Sequence, residues 1–237
     1  MDNKINCLDK GYVRLLDVYG DDLSVVNAAR ASYDKESNEL TDKDIRLINF
    51  LAEHGHGSVF RHQFISLEVS APLMIARQWW KQIVGSEHTE IASGSWNEMS
   101  KRYVTDIPHF YVPTPEQWRK KPANSKQGSG GNFTPEEGGI SFTSELENFY
   151  QHAEAIYERA LGIGIAPEQA RLFLPAYGMY VRWRWTASLQ SVAHFLNQRM
   201  AHDSQWEIQQ YANAVYELVK PYYPHSIEAL VTKEESE

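Results

Sequence analysis

The sequence predicts an α+β fold in which helices mix with a small antiparallel sheet. Residues 11–18 have the composition of a strand, and residues 63–71 and 179–186 alternate between apolar and polar side chains, as half-buried strands do. Helical segments do not alternate with these strands in a repeated strand–helix–strand rhythm. The sequence also lacks GxGxxG and GxxxxGK[ST], so neither of the usual nucleotide-binding folds is indicated. We expect residues 1–237 to form one domain.

Helices are predicted from the spacing of apolar residues and from residue types that begin or end a helix. The predicted helices span residues 42–54, 72–83, 144–161, 188–200 and 204–219. Pro72 suits the first turn of its helix, and Ser188 suits an N-cap. Ser144 and Glu147 have the spacing of a capping box. The preceding segment 119–142 is rich in Gly, Pro, Ser and Lys, which predicts a long, flexible surface loop.

Composition and charge restrict the classes of function. A net charge of -8 argues against non-specific nucleic-acid binding, which depends on neutralising phosphates, although a local arginine cluster could still bind one phosphate. No apolar run is long enough to span a bilayer, and the first residues lack the features of a signal peptide. The single cysteine, Cys7, cannot form an internal disulfide and has no neighbouring histidine to activate it as a nucleophile. We therefore expect a cytoplasmic protein that binds small molecules, without a nucleic-acid polymer or a membrane as partner.

The densest polar segment, 77–103, contains the sequence WNEMSKRY. Its Glu98, Ser100 and Arg102 offer a carboxylate, a hydroxyl and a guanidinium, which together suit a nucleotide. On a loop, the arginine and the serine could bind a phosphate while the glutamate accepts from the sugar or the base. On a regular helix, Glu98 and Arg102 would instead form an ordinary surface pair at i and i+4. The spacing alone leaves both interpretations open.

Two further arginines lie beside apolar segments, and three histidines lie close together in the chain. Arg171 and Arg199 could bind an anionic ligand, because arginine is rarely buried without a partner, or could extend to solvent or complement a helix C-terminus. His54, His56 and His62 lack the i, i+4 spacing of helical zinc ligands. We therefore predict no metal site.

Several ordered motifs resemble those of the flavin-dependent thymidylate synthases. ARQWWK followed by WNEMSKRY is similar to the family signature, in which ARQW precedes an Arg-His-Arg triplet and the motif ends in NE-x-S-x-RY. EHGHGSVFRHQFISLEVSAPLMIARQW resembles the preceding family segment. ARLFLPAYGMYVRWRWTASLQSVAHFLNQRMAHDSQWEIQQYA resembles its C-terminal pattern, which includes FLNLR and QWEI. The resemblance covers nearly the whole chain.

The resemblance implies that the chain converts dUMP to dTMP. Methylenetetrahydrofolate would donate the one-carbon unit, FAD would carry the hydride, and NADPH would reduce the FAD. It also implies the fold of this family and a homotetramer whose active sites combine several subunits. The substrate-binding positions are Gln78, Glu98, Ser100, Arg102, Arg171 and Arg199. Catalysis is assigned to Ser100 and to Arg199, which would stabilise the ionised N3 side of uracil.

The flavin positions implied by the resemblance are altered in this chain. They are His56, Ser58, Lys81, Gln82, Ile83, Ser188, Gln190 and His194, and Ser32 falls on an active-site serine. The Arg-His-Arg triplet has become Lys-Gln-Ile, and a short insertion follows it. Ser188, Gln190 and His194 stand where the family usually has Asn, Arg and Asn, and Arg61 replaces a glutamate. The uracil and phosphate positions are retained.

Two alternatives remain open because the flavin positions differ. A related enzyme on the same scaffold could add a 5-hydroxymethyl group to dUMP or modify another pyrimidine nucleotide. A non-catalytic homologue could bind dUMP and no flavin. The mass of the nucleotide product separates the first alternative from thymidylate synthesis, and dUMP binding without flavin binding would indicate the second.

Overall fold

In the residues that the structure describes, the sheet has five strands, all paired with antiparallel neighbours in the order β1-β2-β3-β5-β4. The computed structural model describes residues 3–82, 96–98, 108–123 and 128–232, with the backbone alone at 96–98. The strands are β1 (Lys4–Cys7), β2 (Gly11–Tyr19), β3 (Phe64–Pro72), β4 (Trp96–Glu98) and β5 (Tyr180–Ser188). The predicted α+β class with a small antiparallel sheet is confirmed.

The two central strands are those whose alternation is clearest in the sequence. β3 and β5 pair along their full length, with Phe64 opposite Ser188 and Pro72 opposite Tyr180. On β5, Trp183 and Trp185 are buried, whereas the arginines between and before them point to the other face of the sheet. An antiparallel strand with one covered face produces this period of two.

Eight α-helices are described. They are α1 (Asp22–Arg30), α2 (Asp42–Glu53), α3 (Leu73–Trp79), α4 (Ile140–Gly162), α5 (Pro167–Ala170), α6 (Leu189–Arg199), α7 (Trp206–Val219) and α8 (Pro224–Leu230). All five predicted helices are found. α3 ends at Trp79 rather than at residue 83, and α4 begins at Ile140 rather than at residue 144. None of the helices in the described ranges is both long and apolar enough to cross a bilayer.

An aromatic cluster joins α3 and α6 to the sheet. Trp79 packs edge-on against Trp183 and Trp185 at ring-centroid distances of 5.6 and 5.5 Å, and it stacks on Phe195 at 4.3 Å. All four side chains are buried, and each contributes roughly 1.5–3 kcal/mol by leaving water. Because Trp79 is fixed in this way, the neighbouring Gln78 has a defined position.

The predicted loop 119–142 is wrong in its C-terminal part. Pro135–Gly139 forms a helical turn, and α4 begins at Ile140. Thr134 starts this helical segment, because its Oγ1 accepts from the backbone N–H of Glu137 at 3.3 Å and its own N–H donates to the Glu137 carboxylate at 2.9 Å. The predicted capping box at Ser144 and Glu147 is therefore also wrong, since both residues lie inside α4.

The N-terminal part of the same segment is a loop with its own hydrogen bonds. The backbone N–H of Lys120 donates to the carbonyl of Gly131 at 2.9 Å, and Arg119 forms an isolated bridge with Asn132. The Trp118 indole N–H donates to Thr143 Oγ1 at 2.9 Å, which ties the loop to α4. These contacts hold Arg119 beside the first turn of α7.

Candidate active site

Gln78 and Arg199, two predicted substrate-binding residues, lie next to each other. Gln78 is near the end of α3, and Arg199 is the last residue of α6. Arg199 Nη2 lies 3.5 Å from the backbone carbonyl oxygen of Gln78. Burial lowers the pKa of the Arg199 guanidinium, and its Nε is buried without a hydrogen-bond partner among the described residues. A buried N–H without an acceptor is costly, so this guanidinium is suited to a ligand carbonyl or anion.

A chain of side-chain hydrogen bonds holds the amide of Gln78. Its Nε2 donates to Gln205 Oε1 at 2.6 Å, and Gln205 Nε2 donates to Glu207 Oε2 at 2.9 Å. Arg119 Nη2 in turn donates to both oxygens of the buried Glu207 carboxylate, at 2.6 and 2.7 Å. The positive charge of Arg119 compensates the buried negative charge of Glu207. Without such a partner, a buried carboxylate would be strongly destabilising. The Gln78 amide oxygen has no donor among the described residues and is left available to a ligand.

Three residues of this chain of hydrogen bonds, Arg119, Gln205 and Glu207, were not among the predicted site residues. They line a cavity of about 600 Å³ together with aromatic side chains such as Tyr111 and Trp118. Gln205 and Glu207 belong to the QWEI motif, and this motif is the sequence feature that could have indicated them as site residues. Arg119 lies within the predicted loop. Its partner Glu207 is 88 residues away, so the spacing of residues along the chain could not indicate that the two form a pair.

Two predicted flavin-site residues and the predicted active-site serine line a second cavity of about 760 Å³. Ser32, His56 and Ser58 come together there, between α1, α2 and the 3₁₀ turn Gly57–Arg61. The remaining lining includes the basic side chains of Arg30, Lys35 and His62 and the apolar side chains of Leu47 and Phe50. Within the described part of the chain, this lining has no carboxylate. Basic, hydroxyl and apolar groups together suit an anionic ligand with a planar ring system.

Gln190 and Ser188, at the start of α6, differ in their hydrogen-bond partners: one contacts another side chain and the other caps the helix. Gln190 Oε1 accepts a hydrogen bond from Arg61 Nε. Ser188 is only 2% exposed, and its hydroxyl accepts from the backbone N–H of Ser191 at 3.3 Å. The predicted N-cap role of Ser188 is therefore confirmed.

Gln82 and His194 are joined through Gln198. Gln82 is buried, and its Nε2 donates to Gln198 Oε1 at 2.8 Å. The other amide atom of Gln198, Nε2, lies 3.0 Å from His194 Nε2. Gln198 stands where the FLNLR pattern has leucine, so three departures from the family pattern form one chain of contacts. Lys81, next to Gln82, is exposed.

Arg171 is exposed and separate from the residues above. Its Nε donates to the carbonyl of Glu168 at 3.3 Å, within the same turn of chain. Its described hydrogen bonds reach neither Gln78 nor Arg199. Within the described part of the chain, no hydrogen bond joins Arg171 to Gln78 or Arg199.

The remaining predicted site residues fall on the segment after α3. Trp96–Glu98 is a strand that pairs with β5, where Glu98 lies opposite Trp183. Glu98 is therefore not helical, and the alternative of a Glu98–Arg102 pair on a regular helix is wrong for this residue. The side chain of Glu98 and all of Ile83, Ser100 and Arg102 lie outside the described residues.

Cys7 is not an accessible nucleophile. Its side chain is buried, and burial raises the pKa of the thiol to about 12, so the reactive thiolate is scarce at neutral pH. The structure therefore supports the sequence-based exclusion of a cysteine nucleophile. In the ranges that the structure describes, no three His, Cys, Asp or Glu side chains converge as metal ligands.

The α+β fold, the half-buried Arg199 guanidinium and the basic cavity are together typical of proteins that bind anionic ligands with planar rings. Comparison with known proteins narrows this class. Residues 14–225 match the family described as thymidylate synthase complementing protein. The chain belongs to this family, whose curated relatives are named flavin-dependent thymidylate synthases.

Individual relatives match over most of their length. A flavin-dependent thymidylate synthase of Thermus thermophilus is 38% identical over 93% of this chain and 75% of its own. One from Thermosipho africanus is 36% identical over 94% of this chain and 92% of its own. Among solved structures, a UMP/dUMP methylase, PolB, from Streptomyces cacaoi bound with 5-Br dUMP has a TM-score of 0.79 and 28% identity, covering 97% of this chain and 100% of that one. The same protein bound with 5-Br UMP has a TM-score of 0.77 and 26% identity.

Proposed function

We propose that this chain is a flavin-dependent thymidylate synthase that methylates dUMP to dTMP. In this proposal, methylenetetrahydrofolate donates the one-carbon unit, FAD carries the hydride, and NADPH reduces the FAD. Family membership supports the activity. The structural observation that carries the proposal is the half-buried Arg199 guanidinium beside the backbone carbonyl of Gln78. Its buried Nε has no acceptor among the described residues.

Arg199 would bind the uracil ring and stabilise charge on it. Its N–H groups suit the carbonyl and N3 edge of the base, where negative charge develops during attack on the one-carbon donor. A half-buried cation held in place interacts with such charge more strongly than one in water, and a single donor at a reacting centre is worth roughly 3–4 kcal/mol. Gln78, Glu98, Ser100, Arg102 and Arg171 would hold the rest of dUMP, with the arginines on its phosphate and Ser100 also at the reacting centre.

FAD would bind at the second cavity and at the start of α6. The basic and hydroxyl lining fits the phosphates of FAD, and the apolar lining fits its rings. Bound FAD supplies the hydride that turns the transferred carbon into a methyl group. The proposed contacts come from His56, Ser58, Lys81, Gln82, Ile83, Ser188, Gln190 and His194. Two of these would act indirectly, because Ser188 is a buried helix cap and Gln82 reaches His194 through Gln198.

We further propose a homotetramer, located in the cytoplasm. Arg171 does not meet Gln78 or Arg199 through its described contacts, so a neighbouring subunit would have to supply it to the dUMP site. The apolar side chains beside it are exposed, including Leu172 at 82%, which supports a subunit contact there. Cys7 is a free thiol, which is compatible with a reducing compartment.

The direct test is incubation of the protein with dUMP, methylenetetrahydrofolate, FAD and NADPH, followed by mass spectrometry of the nucleotide. We expect dTMP. Arg199→Ala should lower kcat by about 10²–10³-fold because the uracil loses its charge-stabilising donor. Arg159→Ala removes an exposed arginine from the last turn of α4 and should leave turnover unchanged. A hydroxymethylated nucleotide, no product, or full activity of Arg199→Ala would contradict the proposal.

A second candidate activity is methylation of UMP as well as dUMP. It is favoured by the two solved structures, which are of a UMP/dUMP methylase bound with 5-Br dUMP and 5-Br UMP. Measuring kcat/KM for both nucleotides in the same assay separates the two candidates. A ratio near one would indicate a methylase that does not distinguish the sugars, and turnover of dUMP alone would indicate a thymidylate synthase.

A further inference from the structure

We propose that Arg61, held by Gln190, supplies the positive charge that binds a phosphate of FAD. This inference rests on the proposed flavin-dependent function and identifies a residue of its cofactor site. The resemblance placed a glutamate at position 61 and an arginine at position 190, whereas this chain has Arg61 and Gln190. The structure shows that the two positions are in direct contact.

The contact orients the Arg61 guanidinium. Arg61 ends the 3₁₀ turn Gly57–Arg61, which also carries Ser58, and Gln190 lies in the first turn of α6. Arg61 Nε donates to Gln190 Oε1. The other amide atom of Gln190, Nε2, packs on Gly57, where an added Cβ would lie only 2.4 Å from it. Gln190 is thus placed between the backbone of the turn and the guanidinium at its end.

The remaining N–H groups of Arg61 are available to an anion. Only Nε has a hydrogen-bond acceptor among the described residues, and none of the described carboxylates forms a salt bridge with this guanidinium. Arg61 is exposed, so a ligand can approach it. The two terminal nitrogens of a guanidinium form a fork that matches the oxygens of a phosphate.

The net charge of these positions gives a second argument, which also rests on the resemblance. A glutamate and an arginine in contact have no net charge, whereas Arg61 and Gln190 together carry one positive charge. The triplet at Lys81, Gln82 and Ile83 has one positive charge fewer than the Arg-His-Arg triplet of the resemblance, if the histidine is neutral. The exchange at positions 61 and 190 therefore restores the charge that the triplet lost. An arginine at 190 would repel Arg61, whereas glutamine accepts its N–H.

The experiment measures FAD affinity by flavin fluorescence for the wild-type chain and for Arg61→Gln. We expect the variant to bind FAD about tenfold more weakly, because it loses a charge-assisted hydrogen bond. Its FAD affinity should also depend less on salt than that of the wild type, since one fewer charge pair is screened. A merely structural role of Arg61 would not change the salt dependence. Arg46→Gln, which removes an exposed arginine from α2, is the matched control and should bind FAD like the wild type.

A charge-exchange pair completes the test. Arg61→Glu should bind FAD more weakly than Arg61→Gln, because it adds a repulsive carboxylate. Combining it with Gln190→Arg should restore FAD affinity to within about threefold of the wild type, since the guanidinium returns from the other side of the contact. Equal FAD affinity of wild type and Arg61→Gln, or failure of the double variant to recover, would contradict this inference alone. A wild-type chain that binds no FAD would contradict the proposed function as well.

Discussion

At the residue scale, the start of α2 depends on one buried carboxylate. Asp44 is 1% exposed and accepts hydrogen bonds from Thr41 Oγ1 at 2.7 Å and from the Thr41 backbone N–H at 3.0 Å. Arg30 Nη2 donates to its other oxygen. The Thr41 hydroxyl, and then the Thr41 N–H and Arg30, lower the pKa of Asp44, although burial acts in the opposite direction. Asp44 thereby holds α1 and α2 together beside the proposed flavin cavity.

The lowered pKa predicts how stability depends on pH. A carboxyl whose pKa is lower in the folded chain stabilises the fold above its unfolded pKa, and this contribution is lost as the pH falls through the folded pKa. Asp44→Asn should therefore lower the free energy of unfolding by about 1–3 kcal/mol at about pH 7, and by less at about pH 3. Urea unfolding at both pH values measures the difference. Asp42→Asn, on the exposed first turn of the same helix, is the control, and a difference that stayed constant with pH would exclude this role of Asp44.

At the element scale, α6 carries several site residues, and its start is set by Ser188. The hydroxyl of Ser188 satisfies the backbone N–H of Ser191, which no carbonyl within the helix can reach. The same helix presents Gln190, His194 and Arg199. A displaced first turn would therefore disturb both the proposed flavin contacts and the proposed uracil contact.

Ser188→Ala should destabilise the protein by about 1 kcal/mol, because the N-cap acceptor is lost. Ser188→Thr retains the hydroxyl and should lose less. Ser144→Ala is the matched control: the sequence predicted a cap there too, but Ser144 lies exposed inside α4, where alanine favours the helix. Thermal unfolding of the three variants distinguishes the positions. Equal losses at 144 and 188 would show that the cap contributes nothing.

The strands and helices differ in how far sequence could predict them. β3 and β5 were predictable because each has one covered face and so alternates along the chain. α1, β1 and α8 were missed, because each is short and its periodic signal is weak. The start of α4 was placed late because the Gly-rich composition of 119–142 outweighed the true cap, Thr134 with Glu137.

At the scale of the whole molecule, several exposed apolar side chains lie close to Arg171 in the sequence. Leu172 and Ile163 are 82% and 75% exposed, and Phe173 and Tyr177 are also exposed. Apolar side chains that cluster on a surface mark interaction sites more often than free surface. A homotetramer of 27.3 kDa chains would have a mass of about 109 kDa, which light scattering measures directly.

Subunit mixing tests whether the active site is shared. Arg171→Ala and Arg199→Ala should each have strongly reduced activity alone, because each lacks one dUMP contact. If the two arginines of one site come from different subunits, tetramers assembled from both variants should regain part of the activity, since some sites contain both arginines. Mixed tetramers without activity would place both residues in one subunit. Reassembled tetramers of each variant alone are the control.

The sequence alone determined the α+β class, the central strands, the Ser188 cap and the family, because periodicity, caps and ordered motifs are local features of the chain. It also named Gln78 and Arg199. Only the tertiary structure showed that these two lie side by side, that Arg119, Glu207 and Gln205 hold the Gln78 amide, and that Arg61 meets Gln190. Such contacts join residues about a hundred positions apart, and burial decides which polar atoms are left without partners. Neither the long-range contacts nor the burial of single atoms can be inferred from the spacing of residues along one segment.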